Sequence, residues 1–572
     1  MQATGPVVTT NKGFKFMSAN IHNRFYILKY IIKSEYGIKD ISLVPLVSSW
    51  TRVLWLSGIF IFSIMYYLIY FQPANLHDCA HYAVSGVSIV RDNKGLLYPY
   101  HPHSADGKGP SYEHFQNNSI HFDTRINYPA KLYSAVYGLI CLVTGKMRIQ
   151  YLVYISFSTF LLGNILLFLI GNRFLVGSLL FNFLVMIIFM PIMAITTRQS
   201  IDVFTYTGTI VILWMCLCLR FKPLALGIAI GLLINFREQF LTLILVIPII
   251  YSVIDNEPFI RKNIIPLLVG VGISYGTVAI LYSQWVGSEI SSSSLDFYFS
   301  FFKRAAYKEV KYIFKVLDRM SSTIVGFFNQ SKMFILPVLL IICALVKERN
   351  LSRQLAIASF VFIALPAFWN AMMPYALAPG RYYLGAIPMA AIAWYMFVKH
   401  LEQKDMSLKI KTIAFFLSGV IVTVFFNVHG IPVERLNWDN IKERAQYLDF
   451  EGVQEALKKN FKDDDVVIIN HSLPTGLSRL HNVIYLPKTK KPFIEGDNKK
   501  ISGLIFVYSN EPPDNFFKPT AWLVNGKLPE TITDRKGIVF KTVYKSQTAI
   551  KKPDGATERK AIFRIYKNSS LS

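Results

Sequence analysis

Cysteine and acidic residues are both scarce in this sequence. The five cysteines are scattered, and four of them lie in or beside apolar runs, which excludes a disulfide framework and a cysteine-based metal motif. Asp and Glu number 35 against 60 Lys and Arg, so the formal net charge is +25. Much of this excess falls in short loops between apolar runs, as the positive-inside rule requires. Anionic lipid headgroups or phosphates are candidate partners for the rest.

The alternating apolar and polar pattern of a membrane β-barrel is also missing. The chain has 572 residues, of which 53% are hydrophobic and 15% aromatic, with a mean hydropathy of +0.37. Its apolar residues form continuous runs of about 20, the length that crosses a hydrocarbon core of about 30 Å. We therefore predict a polytopic α-helical membrane protein with about eleven transmembrane helices.

The chain shows no cleavable signal peptide, and we expect the first apolar run to act as an uncleaved signal anchor. Residues 1–52 then form a basic cytoplasmic segment, and residues 53–429 form the transmembrane domain. That domain contains a long first outer loop at 72–128 and an amphipathic outer loop at 287–331. The short apolar segment 128–145 is predicted to dip into the interface without crossing, because the later basic loops then face the cytoplasm.

The last part of the chain, 430–572, has a different character. A helical pattern in "EGVQEALKKNF" is followed by short β-rich runs such as "VVIIN", "VIYLP", "GLIFVY" and "GIVFKTVY". Gly, Pro, Asn and Asp separate these runs, as turns require. We predict a small extracytoplasmic domain of α/β or α+β type.

Charged residues at membrane edges are the candidates for chemistry, because they are costly there unless they are used. On the predicted topology, charges next to apolar runs converge on one outer face. They are Asp78, Arg198, Asp202, Arg237, Glu238 and Arg381.

Each of these charges also has a structural interpretation. Asp78 equally fits a solvated loop acid. Arg198 and Asp202 are four residues apart, which fits an ion pair at a helix end. Arg237 and Glu238 equally fit a tight outer turn, and "PGRYY" fits an interfacial anchor with an aromatic belt.

The outer loop 287–331 contains a basic amphipathic pattern. Lys303, Lys308, Lys311, Lys315 and Arg319 recur at steps of three and four residues. Apolar side chains, including Phe302, Ile313, Val316 and Met320, fall toward another face of the same predicted helix. This pattern predicts a helix lying in the membrane interface, either as an anchor or as a gate that attracts an anionic lipid substrate.

Several motifs resemble, in order, those of the GT-C superfamily of membrane glycosyltransferases, which use polyprenyl-phosphate sugars. "HDCAHYAVSG" is similar to the acidic first outer loop, and "NYPAKLYSAVYG" to the helix that closes it. "TTRQSID" resembles the second outer loop, and "PGRYYLGAIP" the late arginine motif. The architecture looks like that of aminoarabinose transferases and protein mannosyltransferases. The chain departs from many relatives at Cys79, where they carry a second acid, and at Ala130, where they carry a second proline.

The resemblance implies roles for these residues. Asp78 would be the catalytic base and Asp202 a second catalytic acid. Arg198, Arg237 and Arg381 would bind the donor phosphate, and Tyr82, Glu238 and Tyr382 would bind substrate. Some superfamily members hold a divalent metal ion on carboxylates, so such an ion is a candidate cofactor here, with Asp78 and Asp202 as its favoured ligands. His77 and His81, spaced as a two-histidine pair, are further ligand candidates, although a loop merely rich in histidine is the alternative.

The implied function is an inverting glycosyltransferase. It would move a sugar from a polyprenyl-phosphate donor to an envelope glycan or glycolipid, such as lipopolysaccharide or O-antigen, on the outer face of a bacterial cytoplasmic membrane. One alternative is an O-antigen ligase or polymerase that uses diphosphate-linked donors. The other is a lipid or glycan transporter, which would favour charges in mid-membrane and symmetry between halves. No internal repeat is apparent in the sequence, and no nucleic-acid partner is expected.

Overall fold

A computed structural model of the chain describes sixteen segments. They are residues 50–70, 131–144, 150–174, 202–254, 263–286, 310–330, 335–345, 351–372, 384–403, 450–462, 465–469, 482–485, 501–507, 530–533, 538–551 and 557–570. The chain divides into two compact units, residues 1–60 and residues 61–572, and the contacts below lie within the second.

Helices dominate the first part of the chain. They are α1 (Trp50–Tyr70), α2 (Lys131–Thr144), α3 (Gln150–Phe174), α4 (Asp202–Leu217), α5 (Pro223–Ile234), α6 (Leu243–Ile254), α7 (Ile264–Val286), α8 (Val310–Gln330), α9 (Ile335–Ala344), α10 (Leu351–Met372) and α11 (Ala386–Gln403). A 3-10 helix, Glu238–Thr242, separates α5 from α6.

Three helices in the described segments are long and apolar enough to cross a membrane. Their apolar stretches are Tyr151–Gly171, Ile264–Leu281 and Leu351–Phe368. The expected helical membrane architecture is confirmed at this level, and the total of about eleven spans stays a prediction. The apolar runs near 175–195 and 412–428 lie outside the described residues. Helix α2 has 14 residues, or about 21 Å, and the expectation that it dips into the interface without crossing stays a prediction.

Helices α4, α5 and α6 form an up-and-down group. The turn after α4 contains Arg220 at a positive φ of 49°. Pro223 then begins α5, at a position where the N–H that proline lacks would have no partner within the helix. The Tyr251 hydroxyl near the end of α6 donates a hydrogen bond to the carbonyl of Phe221 in that turn. The start of α4, the end of α5 and the start of α6 therefore lie together at the opposite end of the group.

Helices α5 and α7 approach each other closely through small residues. A Cβ on Gly227 would lie 2.1 Å from the Leu267 carbonyl oxygen, and one on Gly231 would lie 2.0 Å from the Ser274 hydroxyl. A Cβ on Gly270 would meet a backbone carbonyl of α5 at 2.3 Å. In lipid, where apolar burial does not drive association, such close packing is a main source of helix affinity. The pairs advance in the same direction along both helices, so α5 and α7 are parallel.

A chain of buried hydrogen bonds joins α1, α3 and α4. The Tyr206 hydroxyl donates to Asn164 Oδ1 at 2.9 Å, and Asn164 Nδ2 donates to the Ser63 hydroxyl at 3.0 Å. All three side chains are fully buried. Polar side chains in a membrane domain must find partners inside the protein, and here they lock three helices in register.

Helices α10 and α11 are antiparallel. The Ser352 hydroxyl donates to the Ala393 carbonyl at 2.8 Å, and Ser359 donates to the Ala386 carbonyl at 3.5 Å. Gly385, just before α11, allows close approach to both α10 and α4. A Cβ there would lie 2.2 Å from the Phe362 ring and 2.8 Å from the Thr209 hydroxyl.

The C-terminal region is a mixed α+β structure, as the sequence predicts. Helix α12 (Phe450–Asn460) precedes β1 (Val466–Ile469), β2 (Asn482–Tyr485), β3 (Ile501–Val507), β4 (Thr531–Thr533), β5 (Val539–Lys551) and β6 (Thr557–Asn568). The sheet order is β2-β1-β3-β6-β5-β4, with β1 parallel to β2 and β3 and the other pairs antiparallel. Its core includes Val467, Leu504, Phe540 and Ile565.

Candidate functional site

A buried ion pair joins two of the predicted site residues. Nη2 of Arg237 lies 2.7 Å from a carboxylate oxygen of Asp202. The Asp202 side chain is 0% exposed and the Arg237 side chain 10% exposed. Two charges removed from water are tolerated only when they are paired, and at this distance the two groups form an ion pair. The pair therefore neutralises two costly charges at one end of the α4–α6 group.

Local sequence explains why these two residues meet. Asp202 is the first residue of α4, where the positive end of the helix dipole favours a carboxylate. Arg237 follows the end of α5 in an extended conformation, and its backbone N–H still donates to the Leu233 carbonyl at 2.9 Å. Because α4 and α5 form a hairpin, the start of one and the end of the other lie side by side.

The guanidinium of Arg237 is held at a second point. Its Nε donates to Oε1 of Gln239 at 2.8 Å. Gln239 lies within the 3-10 helix, whose tight turn brings the amide back toward the arginine. Contacts at both Nε and Nη2 fix the plane of the guanidinium, and a fixed plane is what bidentate recognition of a phosphate requires.

Aromatic rings pack near the helix ends that carry the ion pair. Phe204 stacks on Phe236 with ring centroids 5.0 Å apart, and Tyr133 meets Phe204 edge-on at 5.3 Å. The backbone N–H of Leu132 donates to the Asn235 carbonyl at 3.3 Å. The start of α2 thus joins the starts of α4 and the 3-10 helix. The pair itself is buried, and the low dielectric of a buried site strengthens the electrostatic attraction within it.

Glu238 is half-buried and begins the 3-10 helix. It interacts electrostatically with Tyr275 of α7. The tight turn that the sequence suggested for Arg237 and Glu238 is therefore observed, and it coexists with the ion pair.

The structure brings together Asp202, Arg237 and Glu238 from the predicted set. Asp202, the last residue of "TTRQSID", and Arg237 of "FREQ" therefore lie on the same side of the helical group. The other predicted residues, Asp78, Tyr82, Arg198, Arg381 and Tyr382, lie outside the described residues, as do His77 and His81. Their roles stay predictions.

Sequence reasoning missed Gln239 and the aromatic residues. A signal was present, because Phe204 follows Asp202 by two positions and Phe236 directly precedes Arg237. Aromatic residues beside membrane-edge charges indicate a place where those charges are withdrawn from water. Only the folded chain shows which rings stack on each other.

The described segments contain no group of three or more His, Cys, Asp or Glu side chains that could hold a metal ion. The carboxylate of Asp202 contacts a guanidinium instead, and a cation bound beside it would face the positive charge of Arg237 at close range. In this arrangement Asp202 fits the role of an arginine partner better than that of a metal ligand.

No protein-family model matches the chain, and no curated protein matches it.

Proposed function

We propose that this membrane protein is an inverting glycosyltransferase of GT-C type, acting on the outer face of a bacterial cytoplasmic membrane. It transfers a sugar from a polyprenyl phosphate to an envelope glycan or glycolipid. The observation that supports the proposal is the buried Asp202–Arg237 pair at the helix ends, next to Gln239 and an aromatic cluster. An arginine held in a fixed plane within a low-dielectric edge is suited to an anionic lipid headgroup.

In this proposal Arg237 binds the donor phosphate. An arginine offers five N–H donors in a rigid fork, and the fork stabilises charge as it builds on the departing phosphate. Asp202 acts as a positioning residue, since it contacts the guanidinium and not the sugar. This refines the expectation that Asp202 is a second catalytic acid. Arg198 and Arg381 are proposed to complete the phosphate site, with Glu238, Tyr82 and Tyr382 near the sugar or acceptor.

The proposed chemistry is a single displacement. The acceptor hydroxyl oxygen attacks C1 of the sugar, and its proton passes to the carboxylate of Asp78. The bond between C1 and the phosphate oxygen breaks, and polyprenyl phosphate leaves with the electron pair. Attack opposite the leaving group inverts the anomeric centre. A metal ion is not required by this scheme, and its participation is a question for chelation experiments.

The test uses the full-length protein reconstituted in nanodiscs with a panel of polyprenyl-phosphate sugars and an envelope glycolipid. We expect Asp78→Asn to lower turnover by roughly 100-fold or more. We expect Arg237→Lys, which keeps the charge but loses the fork, to lower kcat/KM by a comparable factor. Arg220→Gln is the matched control, because Arg220 is exposed at the opposite end of α4.

Two results would contradict the proposal. Full turnover in both Asp78→Asn and Arg237→Lys would contradict the role of Asp78 as the base and the role of Arg237 in binding the donor phosphate. Transfer from diphosphate-linked donors alone would instead favour a ligase or polymerase.

A further inference from the structure

Helix α8 has three distinct sides. One is buried, with Val316 and Thr323 almost inaccessible. A second is apolar and exposed, with Phe314, Leu317 and Val325 at 66%, 49% and 56% exposure. Lys315, Asp318 and Arg319 fall on the remaining side, with Lys315 and Asp318 exposed. A soluble helix would not leave three large apolar side chains on one side in water, so this side requires an apolar environment.

The buried side of α8 packs against one end of a membrane-spanning helix. Val316 and Met320 contact Phe368 and Ala371 of α10. The apolar stretch of α10 ends at Phe368, so the contact lies where that helix leaves the hydrocarbon core. Helix α8 is therefore held at a membrane edge, and its sequence carries too many charges for a span of its own.

The chain path identifies which edge this is. Helix α7 is parallel to α5, and α5 ends beside Arg237, so α7 also ends on the side of the ion pair. The sequence between α7 and α8, residues 287–309, contains no apolar run long enough to cross a bilayer. Helix α8 consequently begins on the same side as Asp202 and Arg237.

The level of this contact is consistent with that placement. Gly385 closely approaches both Thr209 of α4 and Phe362 of α10, which places those two residues at one level. Asp202 lies seven residues before Thr209, and Phe368 lies six residues after Phe362. With α8 on the side of the ion pair, α10 runs opposite to α4. At about 1.5 Å per residue, Phe368 then lies within one turn of the level of Asp202.

We propose that α8 lies in the bilayer interface on the side of the Asp202–Arg237 pair and binds anionic phospholipids there. Phe314, Leu317 and Val325 insert among the acyl chains, and Lys315 and Arg319 contact the headgroups. Charge supports this partner, since residues 303–319 contain six basic and two acidic side chains. Exposed apolar side chains and an adjacent cationic side are the two requirements for a helix that lies on an anionic membrane. Lipid binding by α8 is independent of the proposed transfer reaction.

The first experiment measures depth by spin labelling of the full-length protein in nanodiscs containing phosphatidylglycerol. The background variant is Cys79→Ser, because Cys141, Cys216, Cys218 and Cys343 are buried and react poorly. Leu317→Cys probes the apolar side, and Ser322→Cys, exposed on the charged side, is the matched control. We expect the label at 317 to be more accessible to oxygen than to a water-soluble nickel chelate, and the label at 322 to show the reverse.

The second experiment tests the headgroups. A bimane fluorophore at position 317 is quenched by brominated lipids, either phosphatidylglycerol or phosphatidylcholine, at equal bromine content. We expect stronger quenching by the anionic lipid than by phosphatidylcholine. Lys315→Gln and Arg319→Gln should each lower the ratio of the two quenching efficiencies by up to about fivefold.

Specific outcomes would overturn the inference. Equal nickel accessibility at 317 and 322 would show that α8 lies in water. A label at 317 reached by neither reagent would show that protein covers this side. Equal quenching by both lipids would remove the anionic headgroups as partners.

Discussion

Removing one member of the Asp202–Arg237 pair is expected to destabilise the transmembrane domain strongly. At 2.7 Å and an effective dielectric constant of about 20, the gross attraction is about 6 kcal/mol, from which desolvation of both charges must be subtracted. Asp202→Asn leaves the Arg237 cation buried, and Arg237→Gln leaves the Asp202 carboxylate buried. Each single substitution is therefore expected to lower the free energy of unfolding by about 3 to 5 kcal/mol.

The double substitution Asp202→Asn/Arg237→Gln removes both charges together. We expect it to cost less than the sum of the single substitutions, because no unpaired charge is left behind. The assay is detergent-driven unfolding of the full-length protein in mixed micelles, followed by far-UV circular dichroism. Arg220→Gln is again the control, with an expected change within about 0.5 kcal/mol. Additive costs in the double variant, or single costs below about 1 kcal/mol, would refute a coupled buried pair.

Three further predictions concern packing, hydrogen bonding and pH. Gly270→Ala should lower the free energy of unfolding by about 1 to 3 kcal/mol, because the added Cβ would meet the backbone of α5. Gly272→Ala is the control, since the space around its Cβ position is open, and it should leave the free energy of unfolding unchanged. Equal effects of the two substitutions in the same unfolding assay would contradict the close helix contact. Tyr206→Phe removes a buried donor to Asn164 and should lower the free energy of unfolding by about 1 kcal/mol. In a protein that already carries Asn164→Leu, the cost of Tyr206→Phe should differ from this value, and an unchanged cost would contradict the coupling of the two side chains. Burial raises the pKa of Tyr566 from 10.0 to about 12, an effect that nearby Arg564 partly offsets. The stability that the neutral Tyr566 contributes is therefore complete below about pH 10 and is lost as the pH rises through about 12. Urea unfolding should therefore show a loss of about 1 kcal/mol at pH 11 that Tyr566→Phe abolishes, and an unchanged loss in that variant would assign it to other groups.

Much of the helical architecture could be predicted because it depends on local composition. Apolar runs in the sequence coincide with helices such as α3, α7 and α10, because a helix in lipid forms all of its backbone hydrogen bonds within its own segment. The amphipathic pattern of the outer loop likewise predicted a helix. Helix α8 occupies Val310–Gln330, and Phe302, Lys303 and Lys308 of that pattern lie outside the described residues. The β-rich runs near the C-terminus are strands, because short apolar runs between turn residues favour extended chain.

The candidate site was predictable only in part. Charge at a membrane edge identified Asp202 and Arg237, and topology placed them on one side. The sequence suggested Arg198 as the partner of Asp202, because a spacing of four residues can be read directly from the sequence. It had no means to show that Arg237, 35 residues further along the chain, contacts Asp202 at 2.7 Å.

The sequence by itself determined which segments are apolar, where charges are left at their ends, and which helix carries both apolar and basic sides. These properties follow from composition and periodicity, and they need no knowledge of neighbours. Only the tertiary structure decided that α4 and α5 bring Asp202 to Arg237, that glycines let α5 and α7 touch, and that α8 packs at the end of α10. Such contacts join residues far apart in the chain, and their energies depend on distances and burial that arise only when the helices pack.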